Sequence, residues 1–116
     1  MHEVSLVRNV FRTLEEEFGT EELTRLQTIR MKVGELSNVE PTLMQNAFEA
    51  VKADNPKYDT VGLEIDWIPT TVSCPICTAT SRVQNYHFVC ENCGAPTSDV
   101  ITGNELLIHQ VEFAEA

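Results

Sequence analysis

Cys74-Pro75-Ile76-Cys77, twelve intervening residues, then Cys90-Glu91-Asn92-Cys93-Gly94 is the stretch on which the reading of this chain turns. Each Cys-x-x-Cys pair can wrap a tight turn that aims two thiolates at one ion, and two such turns facing each other complete a tetrahedron. Four thiolates around Zn²⁺ keep a net negative charge, so backbone N–H groups in each turn are expected to point at sulfur. Gly94 suits this arrangement, because the residue after the pair takes a left-handed conformation. Four sulfur ligands fill the shell and leave no position for water, which points to a structural site rather than a catalytic one. The same four thiolates also suit iron in a rubredoxin-like electron carrier, and ligand type alone does not separate the two. A redox Cys-x-x-Cys would stand alone near a strand–helix junction. A nucleic-acid zinc ribbon would carry basic residues around its turns, and here Arg82 is the only one.

Working outward, the flanking sequence supplies a scaffold. Val4, Val7, Phe11, Leu14 and Phe18, with Val10 beside them, form a helical stripe that stops at Gly19. Ile29, Met31 and Val33 alternate with Thr28, Arg30 and Lys32, predicting a half-buried strand that ends at Gly34. Pro41 suits the first turn of a second helix, whose stripe is Leu43, Met44, Ala47, Phe48 and Val51 and which Asp54-Asn55-Pro56 closes. Val61, Leu63, Ile65 and Trp67 alternate with polar residues in a second strand stopped by Pro69, and a third strand covers about 105 to 113. Strand, helix and strand in succession imply a parallel, right-handed crossover. The third strand is expected to return antiparallel to the second. The predicted fold class is α/β: a small mixed β-sheet with two helices plus an inserted zinc-ribbon-like module. Its domains are 1–71 with 103–116 as the α/β part and 72–102 as the insert.

Composition narrows the function. The 116 residues are 42% hydrophobic, enough for a modest core in which a cross-linking metal matters. Eight basic against 18 acidic residues give a net charge of −10. Residues 1–71 carry 7 and 13 (net −6) and 72–116 carry 1 and 5 (net −4), so neither part is basic. Such surfaces repel phosphate backbones and anionic headgroups, which argues against nucleic acid and membranes as partners. Residues 1–4 show neither the basic region nor the apolar run of a signal peptide, and no apolar stretch approaches a membrane span. A cytoplasmic setting is expected, where four cysteines favour metal over disulfides. No catalytic Ser/His/Asp order or phosphate loop is present, so the chain is not read as an enzyme.

The start of the chain offers a second donor set. The Met1 amine, the His2 amide nitrogen and the His2 imidazole can form fused chelate rings around one metal, with the Glu3 carboxylate or the next amide as a further donor. An in-plane nitrogen set of this kind suits Ni²⁺ or Cu²⁺. On its own, a histidine near a terminus is more often a solvated bystander.

Read together, Met1-His2-Glu3 with Ser5-Leu6, then Gly34-Glu35-Leu36, Val39-Glu40-Pro41, Phe48-Glu49 and both Cys-x-x-Cys pairs resemble the HypA/HybF family of nickel-insertion chaperones for [NiFe]-hydrogenase maturation. The resemblance spans nearly the whole chain, with Asn46 as a departure where an apolar or aromatic residue is expected. It implies Ni²⁺ as transient cargo on His2, the Met1 amine and Glu3, and structural Zn²⁺ on Cys74, Cys77, Cys90 and Cys93. The implied partners are a HypB-like GTPase and the hydrogenase large subunit, extending in some organisms to urease and its accessory proteins. A zinc-stabilised interaction adaptor without a second metal is the plainer alternative. His87, three residues before Cys90, reads as a surface or outer-shell residue, His109 as structural, and the acidic runs at 15–17 and 21–22 as a solvated helix end.

Overall fold

The computed structural model describes residues 3–115, as α1 (Glu3–Glu22), β1 (Leu26–Gly34), α2 (Pro41–Ala53), β2 (Gly62–Ile68), β3 (Thr71–Ser73), β4 (Thr80–Arg82), β5 (Asp99–Thr102) and β6 (Leu106–Phe113). Gly19 breaks helical geometry inside α1 with φ 82° and ψ 156°, as its lack of a Cβ allows, and a last turn follows to Glu22. α2 begins where Pro41 fixes the first turn and the Glu40 carboxylate accepts from the Thr42 N–H at 3.2 Å. The helices meet through buried Leu6, Val7, Val10, Phe11 and Leu14 on α1 and Met44, Ala47, Phe48 and Val51 on α2. Phe11 stacks on both Phe48 and Tyr58, with ring centres 5.5 and 4.3 Å away. Leu43, expected in the α2 stripe, is 52% exposed, so the buried stripe is narrower than the periodicity suggested.

The described residues form two three-stranded sheets, in the orders β2-β1-β6 and β4-β3-β5. β1 and β2 run parallel, from Thr28 beside Gly62 to Gly34 beside Ile68, as the crossover through α2 requires. The expectation for the third strand is corrected: β6 pairs antiparallel with β1, not with β2. The reason lies in burial. Ile29, Met31 and Val33 are 0–1% exposed, which demands neighbours on both sides of β1, whereas Trp67 at the end of β2 is 41% exposed. The other face of this sheet carries polar residues, where Arg30 sits between Glu64, 2.7 Å away, and Glu112.

The second sheet begins where β1 stops. Beyond Gly34 the chain on either side continues, and the extensions of β2 and β6, namely β3 and β5, pair with each other. The join is tight. Gly34 donates to the Glu105 carbonyl at 2.6 Å and Leu36 to the Gly103 carbonyl at 2.7 Å. A Cβ on Gly34 would run into the Gly103 carbonyl, and one on Gly103, where φ is 114°, would lie 2.6 Å from Thr70 Oγ1. Thr102 Oγ1 donates to the Pro69 carbonyl at 2.9 Å and lies 2.7 Å from Thr71 Oγ1. The four cysteines follow from this sheet.

Candidate metal centre

Two turns with the same backbone plan form the site. In the first, Cys74 N donates to the Ala79 carbonyl at 3.0 Å and Thr78 N to the Cys74 carbonyl at 3.0 Å. In the second, Cys90 N donates to Ala95 at 2.8 Å and Gly94 N to Cys90 at 2.9 Å. Both place the residue after the second cysteine in the left-handed region, Thr78 at φ 64° and Gly94 at φ 77°. Gly94 meets the sequence expectation; Thr78 carried no such signal, because a β-branched residue disfavours that conformation.

These turns bring the sulfur atoms together. Cys74 Sγ lies 3.6 Å from Cys93 Sγ and Cys77 Sγ lies 3.5 Å from Cys90 Sγ, and all four fall within 4.8 Å of one another. A disulfide needs about 2.05 Å. A tetrahedron of thiolates at about 2.3 Å from a central ion has edges of about 3.8 Å, so the spacing fits a four-sulfur metal site. All four cysteines are unbridged; Cys74 and Cys90 are buried, Cys77 half-buried and Cys93 exposed.

Backbone donors face the sulfurs as the negative charge requires. The N–H groups of Ile76 and Cys77 both reach Cys74 Sγ at 3.4 Å. The donors from Cys77 and Ile76 lower the Cys74 pKa below the ordinary thiol range. The Cys93 N–H leads the groups that bring Cys90 down to about 6, against the effect of burial. Cys93 goes the other way: the Ala95 N–H favours its thiolate, but the Cys74 sulfur, burial and the Cys90 and Cys77 sulfurs outweigh it and push it up to about 11. Four negative sulfurs at this spacing need a cation among them, and binding one expels the remaining protons. Two side chains complete the surroundings: Asn92 Nδ2 donates to Cys77 Sγ at 3.6 Å, and Ser81 Oγ stands 4.0 Å from Cys90 Sγ.

The other candidates stand apart. Among the described residues the metal-ligating cluster contains the four cysteines and not His87, which closes a hairpin by donating its N–H to the Gln84 carbonyl at 2.9 Å. His109 is exposed on β6, where the pairing register with β1 shifts. Glu3 heads α1 and lines a cavity of about 300 Å³ with Val4, Leu43, Asn46, Ala47 and Ala50. Asn46 is exposed at its rim. Met1 and His2, the principal expected nickel donors, lie outside the described residues.

Comparison with known proteins settles the relationship. A family model described as "Hydrogenase/urease nickel incorporation, metallochaperone, hypA" matches residues 1–113. The chain belongs to the HypA family. The hydrogenase maturation factor HypA of Alkalilimnicola ehrlichii is 36% identical over 112 residues, covering 97% of this chain and 98% of that one. Its counterpart in Desulfitobacterium hafniense is 30% identical over 115 residues, 99% and 100% of the two chains. The fold agrees with the solution structure of the Ni metallochaperone HypA from Helicobacter pylori, with TM-score 0.62 and 24% identity over 97% of each chain. Another HypA solution structure gives TM-score 0.67 at 23% identity over 98% of this chain and 97% of that one. The resemblance seen in the sequence and the α/β fold with its four-cysteine module are both borne out. As a HypA-family member, the protein is a metallochaperone of nickel incorporation in hydrogenase maturation. Among the described residues no helix is long and apolar enough to cross a membrane.

Proposed function

We propose that this protein carries Ni²⁺ as cargo at its N-terminus and delivers it to the hydrogenase large subunit, in the cytoplasm, together with a HypB-like GTPase. The family match along residues 1–113 is the observation that carries this reading. In it, His2 is the main nickel ligand, with the Met1 amine and Glu3 beside it. Residues 1–71 and 103–116 form the nickel-binding part, and the insert at 72–102 is a structural zinc module. The protein performs no catalysis of its own. The sulfur spacing supports a closed Zn²⁺ site on Cys74, Cys77, Cys90 and Cys93, in which the ion supplies a rigid cross-link. Closure suits retention, whereas cargo needs ligands that can let go. The family description extends the same reading to urease.

The test is His2→Ala. Hydrogenase maturation and nickel uptake are expected to be lost, while zinc content stays at one per chain and the fold is unchanged. Normal maturation by this variant would overturn the assignment. Acid should weaken nickel binding as well, since the imidazole (unperturbed pKa about 6.5) and the α-amine (about 7.7–8.0) must both be unprotonated to ligate. A nickel affinity that stays flat from about pH 8 to 6 would contradict ligation by these groups.

A further inference from the structure

The two turns meet through side chains as well as through the cluster of four sulfurs. Ser81 follows the first turn in sequence, on β4, yet its 3%-exposed side chain serves the second. Its Oγ accepts the Glu91 N–H at 3.0 Å and stands 4.0 Å from Cys90 Sγ, within reach of a hydroxyl donated to sulfur. Asn92 belongs to the second turn and serves the first, donating from Nδ2 to Cys77 Sγ at 3.6 Å. Each turn is therefore held by one residue from the opposite side of the site. The contacts differ in kind from the backbone donors, which a Cys-x-x-Cys turn supplies from its own main chain. Ser81 and Asn92 are particular choices of this chain.

We propose that Ser81 and Asn92 are positioning residues of the metal site, a reciprocal brace that holds Cys90 and Cys77 in ligating geometry and sets how slowly the ion exchanges. The inference rests on the zinc reading above. Its physical content is that a hydrogen bond to a thiolate withdraws charge from sulfur and fixes its direction, and that outer partners of this type change metal affinity by about 10–100-fold. The ion still binds without the brace, because four sulfurs and their backbone donors remain, but the unbraced cysteine leaves the shell more often.

The experiment uses the full chain loaded with zinc, timing transfer to an excess of a colorimetric chelator, and in parallel the chain loaded with Co²⁺, whose sulfur-to-metal charge-transfer band reports electron density on sulfur. Asn92→Ala and Ser81→Ala should each release zinc at least about tenfold faster and shift the cobalt band to lower energy. Asn92→Asp, the same shape with the donor replaced by a negative charge, should be worse than Asn92→Ala. Ser81→Thr, which keeps the hydroxyl, should restore most of the native rate. Asn92 is exposed, so its two variants decide the matter if Ser81→Ala does not fold. Native release rates in Asn92→Asp and Asn92→Ala would overturn the proposal, as would faster release with an unmoved cobalt band, which would mark a packing effect alone. Absence of zinc from the native protein would be seen before any variant is made and would strike the zinc reading itself.

Discussion

The two cysteine turns share one backbone and differ at one decisive residue. Cys90-Glu91-Asn92-Cys93-Gly94-Ala95 puts glycine where φ is 77°; Cys74-Pro75-Ile76-Cys77-Thr78-Ala79 puts threonine where φ is 64°. Glycine takes that conformation without cost, whereas a β-branched residue resists it. The hydrogen bonds are nevertheless the same in both, from the residue-90 and residue-74 N–H groups to alanine carbonyls and from the left-handed residues back to the first cysteines. So the first turn is not shaped by its local sequence. Convergence of four sulfurs on one point imposes the conformation, and Thr78 accommodates it, with its Oγ1 donating to the Cys77 carbonyl at 2.6 Å. In both turns the leading cysteine is buried and the second more exposed, a further sign that one shared centre organises them.

The two turns should be disrupted most severely when a sulfur is removed. Cys90→Ser should abolish stoichiometric zinc and loosen both turns together, because each depends on ligands from the other. Metal analysis and amide hydrogen exchange across residues 72–102 would check this; protection surviving in the first turn would mean that the turns are independent. Exchanging the left-handed residues gives a smaller effect. Gly94→Thr should cost about 1–2 kcal/mol of module stability. The site isolates the backbone contribution, since a Cβ there meets nothing within 4 Å. The converse, Thr78→Gly, should raise stability by less than about 1 kcal/mol, because relief of strain is offset by the greater freedom of glycine in the unfolded chain. Chelator-dependent thermal melts of the pair would show opposite signs. A loss on Thr78→Gly as large as that on Gly94→Thr would mean that the Thr78 side chain outweighs its strain.

What could be read from the sequence was what neighbouring residues decide. The strand at Ile29, Met31 and Val33, the Pro41 start of α2, the parallel crossover and the sulfur cluster all rest on short spacings. Strand partnership does not. β6 is apolar on both faces in its first half and carried no mark telling β1 from β2; the choice follows from burying Ile29 and Val33 on both sides, which is a property of the assembled sheet. Leu43 and Trp67 match their periodic patterns yet stay exposed, because the helix pair and the end of β2 cover less than an ideal stripe would bury. Thr78 was hidden for the reason given above, that its conformation is imposed from outside its own segment. Asn46, the departure from the family pattern, turns out to face solvent beside the cavity at Glu3, where a polar residue costs nothing.

On the proposed function, one ion is held and another is handed on, at different ends of the chain. Native mass spectrometry of the untagged, zinc-loaded protein titrated with Ni²⁺ distinguishes separate sites from a shared one. The predicted result is a species carrying one zinc and one nickel per chain, formed by the native protein and not by His2→Ala. Loss of zinc in step with nickel uptake would show that the four cysteines serve both metals and would rule out separate sites.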